Sequence, residues 1–181
     1  RKKFKETQTL IYDTTGGKMA PGQGVCILGW KKDKPSEDDL PFTMTNWISP
    51  NGKLMTFTCE VQLANEDFAF DNIVVQIPIE STHDVNVSSI DGEYECFTDK
   101  EHGESFLKWS LSQLDQSNNS AEIEFTVEAA DEDSFYPVYV SFNTPSNICG
   151  IGIDSVTPIE GDDEVKYNVT RSCYASEFKI E

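Results

Sequence analysis

Apolar and polar residues alternate along much of this chain. In the run from Met55 to Leu63, the odd positions Met55, Phe57, Cys59, Val61 and Leu63 are apolar, and the even positions Thr56, Thr58, Glu60 and Gln62 are polar. Successive side chains of a strand point to opposite faces, so this period of two predicts a strand with one buried face. Residues 122–128 repeat the pattern with an acidic outer row, Glu122, Glu124 and Glu128, around Ile123, Phe125 and Val127. Weaker alternation predicts further strands at 41–47, 73–79, 92–97, 106–111, 135–142, 148–156, 165–173 and 174–180. Turn residues separate them: Ser49-Pro50-Asn51-Gly52, Asp91-Gly92, His102-Gly103, Asn118-Asn119 and Gly161-Asp162. No helix of ten residues is predicted. The expected fold class is all-β, with antiparallel sheets packed as sandwiches and Met55, Phe57, Val61, Ile123, Phe125 and Val127 in a core.

Two polar breaks, at 31–39 and 143–147, suggest an inserted domain. If the first and last segments pair with each other, residues 1–40 with 144–181 form a first β-sandwich lobe, and 41–143 form a second lobe inserted into it.

Charge narrows the partners. The 181 residues carry a net −18. Residues 1–34 are net +5 and residues 35–181 net −23. An acidic body repels phosphate backbones and anionic lipid, so nucleic acid is not an expected partner and a membrane is expected only indirectly. No run of ~18 apolar residues is present to span a bilayer. The chain opens Arg1-Lys2-Lys3-Phe4-Lys5 with no apolar stretch behind it, so no leader is expected. The five cysteines, Cys26, Cys59, Cys96, Cys149 and Cys173, are odd in number with no C-x-x-C pair. Reduced, buried thiols in the cytosol are the expectation. Three N-x-[ST] sequons, at Asn86, Asn118 and Asn168, matter only in a secretory setting.

Candidate chemistry is sparse. Both histidines, His83 and His102, stand in turn-like surroundings without the spacing of a triad or a zinc site. The acidic clusters Asp131-Glu132-Asp133 and Asp162-Asp163-Glu164 lack the spaced ligands and glycine of a calcium loop. Gly22-Gln23-Gly24 has no following Gly-Lys-Ser/Thr of a P-loop. No catalytic site, cofactor or metal is expected. Surface recognition remains. Proline cannot donate to a sheet ladder, so pairing is expected to end at Ser49-Pro50, and Trp47, at that strand end, is the tryptophan best placed to line a groove. Asn46 beside it and the nearby Lys53 complete the candidate peptide site, the lysine offsetting surrounding negative charge.

A family resemblance runs through the same residues. Asp91-Gly92-Glu93-Tyr94 followed by Leu107-Lys108-Trp109-Ser110-Leu111 resembles the strand pair in the middle of mu-homology domains of the adaptor medium-chain family. The stretches from Ala121 to Phe125 and from Phe135 to Phe142 continue the likeness in order. Gly24-Val25, Leu28-Gly29-Trp30-Lys31 and the ending from Tyr174 to Ile180 resemble the coatomer (COPI) delta branch. The resemblance implies an elongated two-lobed domain, its first lobe N-terminally incomplete here. It also implies a cytoplasmic coat subunit, peripheral on Golgi membranes, acting in Golgi-to-ER retrograde transport with other coatomer subunits. Clathrin-adaptor members hold tyrosine signals with a Trp-x-Arg, and the matching place here reads Tyr167-Asn168-Val169. The implied ligands are instead tryptophan-motif peptides of tethering and coat-regulating proteins. Alternatives are a clathrin-adaptor-like domain binding cargo signals, an extracellular β-sandwich adhesion domain, and a carbohydrate-binding or hydrolytic sandwich.

Overall fold

The computed structural model describes residues 9–11, 41–146, 148, 150, 152–158, 160, 166–169 and 173–180. Contacts divide the chain into two compact units, residues 1–35 with 153–168 and residues 36–152 with 169–181. The expected second lobe, 41–143, lies inside the larger unit. Residues 173–180, expected in the first lobe, form a strand of the larger unit's sheet. Most of 1–40 lies outside the described residues.

The larger unit is built from β1 (Phe42–Asn51), β2 (Leu54–Leu63), β3 (Phe70–Ile79), β4 (Asn86–Ile90), β5 (Glu93–Thr98), β6 (Ser105–Leu114), β7 (Ser120–Val127), β8 (Val138–Thr144) and β9 (Cys173–Ile180). One sheet has the order β1-β2-β7-β4 and the other β5-β6-β3-β8-β9, with every named pair antiparallel. Among the described residues a 3-10 turn, Glu132–Phe135, interrupts the strands and is capped by Asp131, whose carboxylate accepts from the Ser134 N–H. That capping is the role of the 131–133 acidic cluster. The strands expected at 148–156 and 165–173 are not found among the described residues 152–156 and 166–169, and β4 was not foreseen.

The inner faces meet in one core. Phe57, Val61, Ile123, Phe125 and Val127 are fully buried and Met55 nearly so, as their parity predicts. Cys59 is buried in the same row, and burial, with a smaller push from the Glu60 charge, raises its thiol to about 12. Such a thiol behaves as a small hydrophobe. Phe42, Phe70 and Phe142 pack edge to face, with ring centroids 5.1–5.9 Å apart. Phe57, Phe125 and Phe135 form a second aromatic group, 5.0–6.1 Å apart. Aromatic pairs of this geometry add about 0.5–1.5 kcal/mol each beyond area burial.

The crossing from β4 to β5 carries the chain from one sheet to the other, and it is clamped on both sides. The Asp91 N–H donates to the Glu122 carbonyl, and its carboxylate accepts from the Glu122 N–H, both at 2.9 Å. The fully buried Trp109 donates its indole N–H to the Asp91 carbonyl at 2.6 Å. The Asp91-Gly92 and Trp109 motifs therefore meet in space.

Candidate functional site

β1 is an edge strand, and its ladder fixes which backbone groups are free. It pairs with β2 from Phe42↔Leu63 to Asn51↔Leu54. The Ala64 N–H donates to the Pro41 carbonyl, which makes 41/64 a hydrogen-bonded pair. Antiparallel pairs alternate between bonded and non-bonded, so the odd residues of β1 spend their N–H and C=O on β2. The N–H and C=O groups of Met44, Asn46 and Ile48 then point to the open side, where no strand pairs among the described residues. Such a row is a template for another extended chain.

The same parity corrects the reading of Pro50. Pairing does not stop there: Pro50 stands opposite Met55 and the strand runs on to Asn51. Pro50 is an even position, so the N–H it lacks would have faced the open edge and no ladder bond is lost. The turn falls instead at Gly52 and Lys53, where Gly52 takes a φ of +69°.

The three expected site residues share this hairpin but not one surface. Trp47 lies on the outer face, 51% exposed and opposite Thr58. Lys53 is exposed in the turn. Asn46 points to the inner side, where its Nδ2 donates to the Tyr136 hydroxyl at 3.3 Å and its buried Oδ1 has no partner among the described residues. The side-chain amide of Asn46 is therefore turned away from the face that carries Trp47. What Asn46 offers to an incoming chain is its backbone. The free edge was missed in sequence reading because no residue type announces it; it follows from sheet order.

The outer face around Trp47 is polar and ordered. The Glu124 carboxylate accepts from the Thr58 hydroxyl at 3.3 Å and from the Ser88 hydroxyl. Among the described residues, no group of three or more His, Cys, Asp or Glu is gathered for a metal ion. None of the described helices is long and apolar enough to cross a membrane. Of the expected signal-binding equivalents, Tyr167 and Val169 are exposed and lie outside any strand.

His83 and His102 are both exposed, and one titrates in company. The Nδ1 of His102 lies 2.7 Å from the Asp99 carboxylate. That hydrogen bond, with the Asp99 charge, raises the imidazole above its ordinary 6.5. The same bond, with the Glu101 N–H, lowers Asp99 below its ordinary 3.8. The raised histidine stabilises the fold fully below pH 6.5, a contribution lost as pH rises through its folded value. The lowered aspartate contributes fully above pH 3.8, lost as pH falls through its folded value. The expected result of an NMR titration is a His102 midpoint above the ordinary histidine value of 6.5, dropping in Asp99→Asn. An unchanged midpoint in that variant would exclude the pair as its cause.

The family comparison covers most of the chain. The model of the adaptor complexes medium subunit family matches residues 20–181. The chain is 28% identical over 180 residues to a probable coatomer subunit delta of Caenorhabditis elegans, covering 99% of this chain and 34% of that one. It is 28% identical over 141 residues to coatomer subunit delta of Arabidopsis thaliana, covering 77% and 26%. Against coatomer subunit delta of Saccharomyces cerevisiae it is 27% identical, covering 100% and 35%. The chain thus spans about a third of the length of these relatives. Among solved structures, the yeast delta-COP-I mu-homology domain is similar, at 27% identity and a TM-score of 0.48 over 60% of this chain and 41% of that one. The same yeast domain complexed with a Dsl1 WxWxV peptide gives 23% identity and a TM-score of 0.48, over 60% and 42%. The chain belongs to the adaptor complexes medium subunit family, and the relatives it is similar to are coatomer delta subunits.

Proposed function

We propose that the chain is a non-catalytic, peptide-binding domain of a vesicle coat, which takes short tryptophan-containing motifs of tethering and regulatory proteins along the open edge of β1. The observation that carries this reading is the backbone of Met44, Asn46 and Ile48, unpaired among the described residues, beside the exposed indole of Trp47. An added strand gains main-chain hydrogen bonds there, and a side chain of the motif packs on the Trp47 ring. Lys53, in the adjoining turn, offers a cation to an acidic motif that the rest of the surface repels.

In this reading the domain serves a coatomer delta-type subunit in Golgi-to-ER retrograde transport. It is cytoplasmic, assembles with other coatomer subunits and reaches Golgi membranes through the coat. A two-lobed arrangement with an inserted lobe belongs to the same reading; the division of the chain into two compact units agrees with two lobes, while it groups 169–181 with the unit that holds 41–143.

Calorimetry with a synthetic WxWxV peptide tests the site. Trp47→Ala is expected to leave the unfolding free energy within about 0.5 kcal/mol of the parent, as for exposed residues in general. It is expected to weaken peptide binding by about thirtyfold or more, the effect of losing an aromatic anchor worth about 2 kcal/mol. A folded Trp47→Ala variant with parental affinity would remove Trp47 from the site.

A further inference from the structure

The outward face of the other sheet departs from the expected alternation. Positions of β3, β5, β6 and β8 that face away from the core should be polar by alternation, and Gln76, Lys108, Ser110 and Ser141 are. Phe97, Phe106, Pro78, Val74 and Tyr139 are not. Phe97 stacks on its cross-strand partner Phe106, with centroids 5.7 Å apart and planes 27° apart. Val74, Gln76, Phe97, Phe106, Tyr139 and Ser141 line a depression of about 430 Å³ that opens outward. Asp99 and Glu104 complete its wall.

The acidic side of this depression is held in place. The Asp99 N–H donates to the Glu104 carbonyl at 2.7 Å, and the Gly103 N–H donates to the Asp99 carbonyl at 2.8 Å. The Asp99 carboxylate accepts from the Glu101 N–H at 2.9 Å and from His102 at 2.7 Å. Glu104 has no ion-pair partner among the described residues. Of the nearby cations, Lys108 is engaged by Glu95 at 2.7 Å, Lys100 is exposed in the loop that carries Asp99 and Glu104, and Lys179 of β9 stands opposite Tyr139. The depression therefore combines aromatic faces with two carboxylates, Asp99 and Glu104, in its wall.

We propose that this depression docks an arginine side chain, flanked by aliphatic residues, from a partner polypeptide. A guanidinium is planar and weakly hydrated, so it stacks on aromatic faces and pairs with carboxylates at the same time. Its aliphatic neighbours cover Val74 and the half-buried rings of Phe97 and Tyr139. Charge selects among occupants. A nucleic acid, an anionic lipid surface or a second copy of this chain, itself net −18, would each bring like charge to Glu104 and Asp99. The depression lies on the sheet opposite β1, so this inference does not depend on the peptide reading of Trp47.

Amide NMR of the full chain with the capped pentapeptide Ala-Leu-Arg-Leu-Ala tests it. Saturable shifts are expected at the amides of Phe97, Asp99, Glu104 and Tyr139. The same peptide with citrulline, a neutral isostere of arginine, is expected to bind more weakly. Glu104→Gln should weaken the arginine peptide by about threefold, the scale of an exposed charge pair, with less salt dependence than the parent. Phe97→Ala should weaken it further, while Trp47→Ala should bind it as the parent does. The proposal is overturned by the absence of these shifts at about 1 mM peptide, where even an interaction near −4 kcal/mol registers. Equal binding of the citrulline peptide, parental binding by both Glu104→Gln and Phe97→Ala, or loss of binding in Trp47→Ala would also overturn it.

Discussion

Trp109→Ala is expected to lower the unfolding free energy by about 4–5 kcal/mol, the top of the range for deleting a buried aromatic side chain. The indole is fully buried, and it also supplies the hydrogen bond that the Asp91 carbonyl accepts at 2.6 Å. Losing it opens a cavity between the sheets and strips the β4–β5 crossing of one of its clamps. Trp109→Phe separates the two effects, because it keeps most of the volume and removes the donor. Its expected cost is about 1–3 kcal/mol, that of leaving a polar group without its partner. A domain of this size has only about 5–15 kcal/mol in total, so the alanine variant should show a strongly reduced urea midpoint. Equal costs for the two variants would mean that the hydrogen bond, and not the packing, dominates.

Gly92→Ala has the next largest expected effect. Gly92 takes a φ of +89°, and a Cβ there would overlap the Ser110 carbonyl oxygen while meeting Leu111 at 3.0 Å. The left-handed conformation alone costs a substituted residue about 1–2 kcal/mol. Relief of the overlap requires β6 backbone to move, which brings the expected loss to about 2–4 kcal/mol. Gly52 is the internal control. Its φ is +69° but nothing lies within 4 Å of a Cβ built there, so Gly52→Ala should cost only the conformational penalty of about 1 kcal/mol. Comparable midpoints for the two variants in urea denaturation would show that the approach of Gly92 to β6 carries no energy.

The strands with strict alternation were legible in the sequence, and the reason is parity. On β2 and β7 every second side chain enters the core, so one look at Met55, Phe57, Ile123 and Phe125 fixes both the element and its buried face. On β3 parity breaks: Phe70 is buried, but so are Ile73, Val75 and Ile77. The switch occurs at Asn72, whose φ is +51°, where the ladder to β8 shifts register. A shift of this kind depends on the partner strand, and local pattern carries no record of it. β4 escaped for a different cause. Asn86–Ile90 is a short edge strand with a polar, mostly exposed sequence, so its pairing with β7 leaves little hydrophobic signal.

The candidate site was half legible. Trp47 was singled out as the end of a strand beside a turn; it is exposed, but as an outward residue within β1, which runs on to Asn51. The opposite orientation of Asn46 follows from the same alternation that identified the strand, since adjacent residues cannot share a face. Pro50 misled because proline was taken to end pairing, when at an even position of an edge strand it removes only an outward N–H. The resemblance motif around Asp91, Gly92 and Trp109 marks the folding clamp of the β4–β5 crossing. It therefore reports the family without locating the ligand.

Amide hydrogen exchange along β1, with and without the WxWxV peptide, tests the central claim most directly. In the free protein the N–H groups of Thr45, Trp47 and Ser49 are bonded to β2 and should exchange slowly, while those of Met44, Asn46 and Ile48 face the open edge and should exchange fast. Peptide bound as an added strand should slow Met44, Asn46 and Ile48 selectively. Binding without a change at these three amides, or protection confined to another strand, would contradict the placement of the peptide on β1.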